Sequence, residues 1–277
     1  MNVTRETIKD FENMLYLSEK SRSTVTKYSA ALHRLRIYLA GKDITKQRLL
    51  EYRELLLQRN RAQTVNGALS AINAYLEFAG LPDCRVKLLK VQRRAFIDED
   101  RELSGDEYRR LLRAAQARGS KRLYLIMLTL CSTGIRISEL PFITAEAAST
   151  GRAEIRLKGK TRTVLLPMEL RSRLKDYCRQ QGIRSGCIFR TRSGRPMDRS
   201  NICHEMKRLC VDARVDARKV FPHNFRHLFA RSFFDIEKNL PHLADVLGHS
   251  SIETTRIYVA VSAATHEKTL SRMQLVI

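Results

Sequence analysis

Apolar positions in the first 80 residues recur every three or four places, the spacing of helices that bury one face. Ile8, Phe11 and Leu15 share a face of a first helix. Val25, Tyr28, Leu32, Leu35 and Leu39 mark a second, with Ser23 or Thr24 as the expected N-cap and Gly41 as the stop. Thr45 through Arg59 predicts a third, with Leu49, Leu56 and Leu57 inward. Val65, Leu69, Ile72 and Leu76 predict a fourth, ended by Gly80 and Pro82. Over residues 83–100 the periodicity lapses and charge accumulates, which marks an interdomain linker.

After the linker, Ser104 with Glu107 three residues on is a capping-box pattern that opens a helix. A buried helix follows through Leu130 and stops at Gly134. Alternating residues from Ala153 to Leu157, a turn Lys158-Gly159-Lys160, and Thr163 to Pro167 predict a β-hairpin. From Met168 the period is helical again to the end, apart from loops near Gly182–Gly186 and Ser193–Pro196.

Charge narrows the classes of partner. The 277 residues carry 51 Lys and Arg against 29 Asp and Glu, a net of +22. Residues 1–92 hold 16 basic and 9 acidic side chains, a net of +7, and the remainder holds +15. Such an excess favours polyanions through counterion release. On the predicted helices of the first half, Lys27, Arg34, Arg36, Arg53, Arg59 and Arg61 face outward, mostly with one sign, as DNA contacts would. The six cysteines form no C-x-x-C pair, which excludes a zinc framework and reads as reduced, cytoplasmic thiols. The N-terminus is too polar for a signal peptide, and the apolar run from Leu123 to Cys131 is too short to span a bilayer, so no membrane partner is expected.

Three segments hold the unusual chemistry. In Thr133-Gly134-Ile135-Arg136-Ile137-Ser138-Glu139-Leu140, Gly134 permits a tight turn and Glu139 stands one turn from Arg136. In Pro222-His223-Asn224-Phe225-Arg226-His227, His223 and Arg226 are three apart on one face. Leu247-Gly248-His249 is followed by Thr254-Thr255-Arg256-Ile257-Tyr258. Singly, each has an ordinary structural explanation: an ion pair, a core histidine, a packed tyrosine.

Together and in this order they resemble the tyrosine recombinase (phage integrase) family, over essentially the whole chain. The family's catalytic Arg, Lys, His-x-x-Arg, His and Tyr match Arg136, Lys158, His223, Arg226, His249 and Tyr258, with the family's nine-residue interval between the last two. The turn at Lys158 is one residue shorter than the family's usual one. Its place after the strand and the glycine that follows favour Lys158 over Lys160 as the catalytic lysine, with Lys160 as a phosphate contact.

The resemblance implies a mainly α fold. A SAM-like four-helix core-binding domain covers 1–82, a linker 83–100, and a mixed α/β catalytic domain with a small antiparallel sheet 101–277. It implies a C-terminal docking helix over 262–277 that seats on a neighbouring subunit, with folding onto its own domain as the alternative. The chain starts almost at the core-binding helices, leaving no room for a further arm-binding domain.

The implied chemistry suits these residue types. Two guanidinium forks, Arg136 and Arg226, match the non-bridging oxygens of a phosphodiester. Free tyrosine ionises near pH 10, so a phenolate at neutral pH costs about 4 kcal/mol. His223 is the expected base, His249 the group that orients the phosphate by hydrogen bonding, and Lys158 the acid for the departing 5′-oxygen. Lys160, Arg162, Lys27, Arg34 and Arg61 are expected on DNA. The 3′-phosphotyrosine intermediate stores the bond energy, so neither metal nor other cofactor is expected.

The expected partners are double-stranded DNA with inverted-repeat core sites and other copies of the chain in a synaptic tetramer, in the cytoplasm at the nucleoid. Val259-Ala260, where chromosome-dimer resolvases usually have Thr-His, and the stretch 233–240 lean toward the integrase or transposase of a mobile element, or a DNA invertase. A resolvase, a type IB topoisomerase-like enzyme and a catalytically silent DNA-binding protein of the same fold are the alternatives.

Overall fold

In the computed structural model, residues 2–91, 99–157, 159–249, 251–259 and 271–273 are described. The chain divides into two compact units, 1–93 and 94–277. The first is built from helices α1 (Arg5–Leu17), α2 (Arg22–Leu39), α3 (Lys46–Arg59) and α4 (Ala62–Phe78). The inward residues expected of the four helices pack into one core, joined by Tyr52 and Tyr75. Phe11 meets Tyr75 edge-on at 5.4 Å, and the Tyr75 hydroxyl donates to Thr7 Oγ1.

Two local expectations change. The N-cap of α2 is Ser21, not Ser23 or Thr24, because its hydroxyl accepts from the Thr24 N–H and places both later residues inside the first turn. The stretch expected as linker from residue 83 belongs, through Leu89, to the first unit. Asn66 exchanges two hydrogen bonds with the Leu89 backbone, and Asn73 two with that of Val86, so two side-chain amides hold this extended segment along α4. Val86 is buried in the core there.

The second unit opens with the capping box foreseen at Ser104 and Glu107, which starts α5 (Gly105–Ala117). The buried α6 (Lys121–Thr133) ends at Gly134 in the left-handed conformation. A short 3₁₀ turn (Ile137–Phe142), α7 (Ala145–Thr150) and strands β1 (Arg152–Leu157) and β2 (Lys160–Leu165) follow. The two strands form an antiparallel pair in which Lys160 already faces Leu157. The hairpin is therefore tighter than the three-residue turn expected, and Gly159, at φ +71°, supplies the positive φ such a turn demands.

Helices α8 (Met168–Gln180), α9 (Arg199–Arg208) and α10 (Cys210–Ala213) complete the larger core together with α11 (Pro222–Glu237), which packs on α6. Helices α12 (Leu240–Leu247) and α13 (Ile252–Val259) fold against α11, and a separate apolar cluster of Ala230, Leu243, Leu247 and Tyr258 forms there. The six cysteines are free. Among the described residues no helix is long and apolar enough to cross a membrane.

Candidate active site

Four pieces of backbone converge on one place in the second unit: the turn after α6, the β1–β2 hairpin, the start of α11, and the segment from α12 through α13. Gly134 allows the first to reverse. Its φ is +62°, and a Cβ there would lie 2.3 Å from the Phe229 ring, so no side chain fits. Arg136 emerges beyond that turn with its side chain 40% exposed, while Glu139 behind it is 4% exposed. The Glu139 carboxylate accepts from the Arg136 backbone N–H at 2.7 Å and from Arg136 Nη1 at 3.1 Å. Burial would raise the Glu139 carboxyl, but the Arg136 N–H and the charges of Arg162 and Arg136 outweigh it and hold it below the ordinary value.

Arg162, on β2, closes this network from the other side. Its Nη2 donates to Glu139 Oε2 and its Nη1 to the Val246 carbonyl, each at 2.7 Å. The side chain is 17% exposed, and its buried Nε–H has no acceptor among the described residues. The guanidinium ties the hairpin to Glu139 and to the end of α12. Gly248, at φ +65°, leaves the room: a Cβ there would lie 2.4 Å from Arg162 Cδ.

Arg226 is the most enclosed charge of the site, 1% exposed. It donates through Nη1 to the Gly134 carbonyl at 2.6 Å and through Nη2 to the Leu247 carbonyl at 2.8 Å, with His249 Nε2 also 2.8 Å from Nη2. Its buried Nε–H has no acceptor among the described residues. Burial, then the Arg136 charge, pushes the guanidinium down to about 10, which leaves it cationic at neutral pH.

Three imidazoles surround the ring of Tyr258, which is 4% exposed. His249 lies parallel to it at 5.5 Å, His227 edge-on at 4.5 Å, and His223 tilted at 5.9 Å. His249 Nδ1 meets the buried Thr255 hydroxyl at 2.8 Å. Burial, then the Arg226 and Arg136 charges, pushes His249 down to about 4. His223, open to solvent on one side, is pushed to about 4 by burial, His227, Arg226 and Arg136. Both rings are thus neutral near pH 7 and able to accept a proton.

Of the residues singled out in the sequence, Arg136, Glu139, Arg162, His223, Arg226, His249 and Tyr258 come together here. Lys158 lies outside the described residues. Lys160 opens β2 beside the site. Lys27 and Arg34 on α2, and Arg61 at the start of α4, are exposed on the first unit. The docking helix expected over 262–277 falls almost wholly outside the described residues. Sequence reasoning missed three participants: Thr255, His227 and Glu102. Glu102 sits 3.3 Å from His227 Nδ1. His227 carried a signal, being four residues from His223 on the same helix face; Glu102 carried none.

The phage integrase family matches residues 101–265, more than half of the chain, and the chain belongs to it. It is a tyrosine recombinase, an enzyme of site-specific recombination that breaks and rejoins DNA. The tyrosine recombinase XerA of Thermococcus kodakarensis is 29% identical over 287 residues, covering 100% of this chain and 98% of the relative. Tyrosine recombinase XerD of Vibrio cholerae is 28% identical over 262 residues, 87% of each chain. Among solved structures, the Tn1549 transposon integrase in complex with transposon right end DNA matches with a TM-score of 0.74 at 15% identity, covering 99% of both chains. A lambda integrase dimer bound to a core site matches with a TM-score of 0.74 at 16% identity, covering 92% of this chain and 94% of the other. These two likenesses are of fold.

Proposed function

We propose that Tyr258 is the nucleophile that attacks the scissile phosphodiester and forms a 3′-phosphotyrosine linkage with release of a 5′-hydroxyl. The observation that carries this reading is the enclosure of the Tyr258 ring by His223, His227 and His249 beside the buried Arg226. Arg136 and Arg226 hold the non-bridging oxygens and offset the charge that grows on them; a preorganised donor of this kind is worth about 3–4 kcal/mol. His223, neutral and open on one side, takes the phenolic proton. Lys158 protonates the departing 5′-oxygen. His249, whose Nε2 accepts from Arg226, fixes that guanidinium where it meets the phosphate.

The substrate in this reading is double-stranded DNA with inverted-repeat core sites, engaged at the nucleoid by both units, with Lys27, Arg34, Arg61 and Lys160 on phosphates. The working assembly is a tetramer, linked by the segment 262–277 docking on a neighbouring copy. Among the fold relatives, lambda integrase has been crystallised as a tetramer bound to a Holliday junction and XerH bound to its difH substrate, which supports this assembly and substrate class. Two biological roles fit. Val259-Ala260 and the stretch 233–240 favour a mobile element or invertible segment; the similarity to XerA and XerD favours chromosome-dimer resolution. Inverted repeats flanking the gene support the first role, and a single chromosomal site recombined in direct repeat supports the second.

The catalytic assignment is tested with a suicide DNA substrate whose cut strand loses its 5′-hydroxyl fragment. Wild type accumulates a covalent adduct on a denaturing gel, and Tyr258→Phe binds the site but forms none. A bridging 5′-sulfur, which departs without a proton, restores cleavage to Lys158→Ala. Rescue of Lys160→Ala instead transfers the acid role to Lys160.

A further inference from the structure

We infer that His227, oriented by Glu102, is a positioning residue for Tyr258; this rests on the reading of Tyr258 as nucleophile. His227 packs against the Tyr258 ring at 4.5 Å and 70°, closer than either of the other imidazoles. It also packs edge-on against His223 at 4.6 Å, one helical turn away on α11. The nucleophile and its proposed base therefore rest on the same ring.

That ring is itself held. Glu102 Oε1 stands 3.3 Å from His227 Nδ1, and the two side chains are 12% and 14% exposed. The other carboxylate oxygen stands 3.4 Å from Arg231 Nη2, and Arg231 donates to the Leu103 carbonyl at 2.7 Å. His227 and Arg231 are one turn apart, so one carboxylate spans both and fixes the segment before α5 against α11. Burial raises the Glu102 carboxyl, yet the His227 hydrogen bond and the charges around it prevail, and it stays below the ordinary value.

A filler of this space would be apolar, as the rest of the cluster is: Ala230, Leu243 and Leu247, with Phe229, Phe233 and Phe234 against them. A mostly buried imidazole there needs a partner of its own, and Glu102 supplies one. The pair does what an apolar side chain cannot: it fixes the rotation of the ring beneath Tyr258. A phenol aimed at phosphorus is sensitive to such placement, since a shift of about 1 Å costs on the order of 100-fold in rate.

The test measures single-turnover adduct formation on the suicide substrate with the full chain, alongside DNA affinity and melting temperature. His227→Phe keeps a ring of similar breadth and loses the Glu102 bond. The expected result is adduct formation slowed about tenfold or more, with DNA affinity within about twofold of wild type. Glu102→Ala is expected to slow it similarly, Glu102→Gln to recover part of the loss, and Glu102→Ala/His227→Phe to be no slower than His227→Phe alone, because Glu102 acts through His227. A wild-type rate in His227→Phe reduces His227 to packing and overturns the inference. So does a multiplied loss in the double variant. If Tyr258→Phe still forms the adduct, the nucleophile reading itself fails; if it forms none while His227→Phe is at full rate, that reading stands and this inference alone is lost.

Discussion

Arg226 Nη2 donates to His249 Nε2 at 2.8 Å, and this contact sets the tautomer of the imidazole. A guanidinium has no acceptor, so Nε2 must present its lone pair, and the ring proton sits on Nδ1, donated to Thr255 Oγ1 at 2.8 Å. The site is thus organised around a neutral His249 and a cationic Arg226.

A pH dependence of stability follows. His249 and His223 are pushed from 6.5 to about 4 in the folded protein. Between those values the unfolded chain binds more protons than the folded one, so stability is full above pH 6.5 and falls as pH drops toward 4. The more solvent-open His223 contributes the smaller part. Melting temperatures measured from pH 7.5 to 4.5 are expected to decline less steeply in His223→Gln/His249→Gln than in wild type. Identical slopes would mean that neither ring is held neutral by folding.

Glu139 is buried between two guanidinium groups, and Arg162 is the more enclosed of them. A buried charge left without any partner costs about 3–5 kcal/mol; Glu139 keeps Arg136 when Arg162 is removed, so the loss is a fraction of that. Arg162→Ala is expected to lower the melting temperature clearly, and Arg162→Leu/Glu139→Leu to lower it less than the sum of the single changes. Additive losses in urea denaturation would show that the two groups are energetically independent.

Gly248→Ala is expected to lose both stability and cleavage. Left-handed backbone costs a non-glycine residue about 1–2 kcal/mol, and the new Cβ displaces Arg162 from its contact. A variant with wild-type stability and adduct yield would show that the hairpin does not depend on this junction.

Binding by the first unit has a salt signature. If Lys27, Arg34 and Arg61 lie on phosphates, changing all three to Gln reduces the slope of log K against log salt by about 3 × 0.9. Fluorescence anisotropy at several salt concentrations reads this directly. An unchanged slope would place the DNA contacts of this unit elsewhere.

Legibility differed by the range of the interaction. The four first-unit helices and the Ser104–Glu107 capping box follow local periods, so their core faces and that cap could be read from spacing. The N-cap of α2 is ambiguous in sequence because Ser21, Ser23 and Thr24 all have capping side chains and only the backbone decides among them. The docking of Val86 and Leu89 by Asn73 and Asn66 leaves no hydrophobic period, so the segment has the sequence character of a linker. In the site, Arg136, His223, Arg226, His249 and Tyr258 stood out through short motifs. The role of Arg162 did not, because its acceptors, Glu139 and the Val246 carbonyl, are remote in sequence. Glu102 was silent for the same reason.

The central claim is that Tyr258 becomes bonded to DNA, and mass spectrometry of the trapped adduct tests it most directly. After wild-type protein reacts with a suicide substrate, digestion with nuclease and trypsin is expected to leave a 3′-phosphonucleotide on the peptide spanning residues 257–268, at Tyr258. The same remnant on any other tyrosine, or on no peptide while the strand is still cut, would contradict the account.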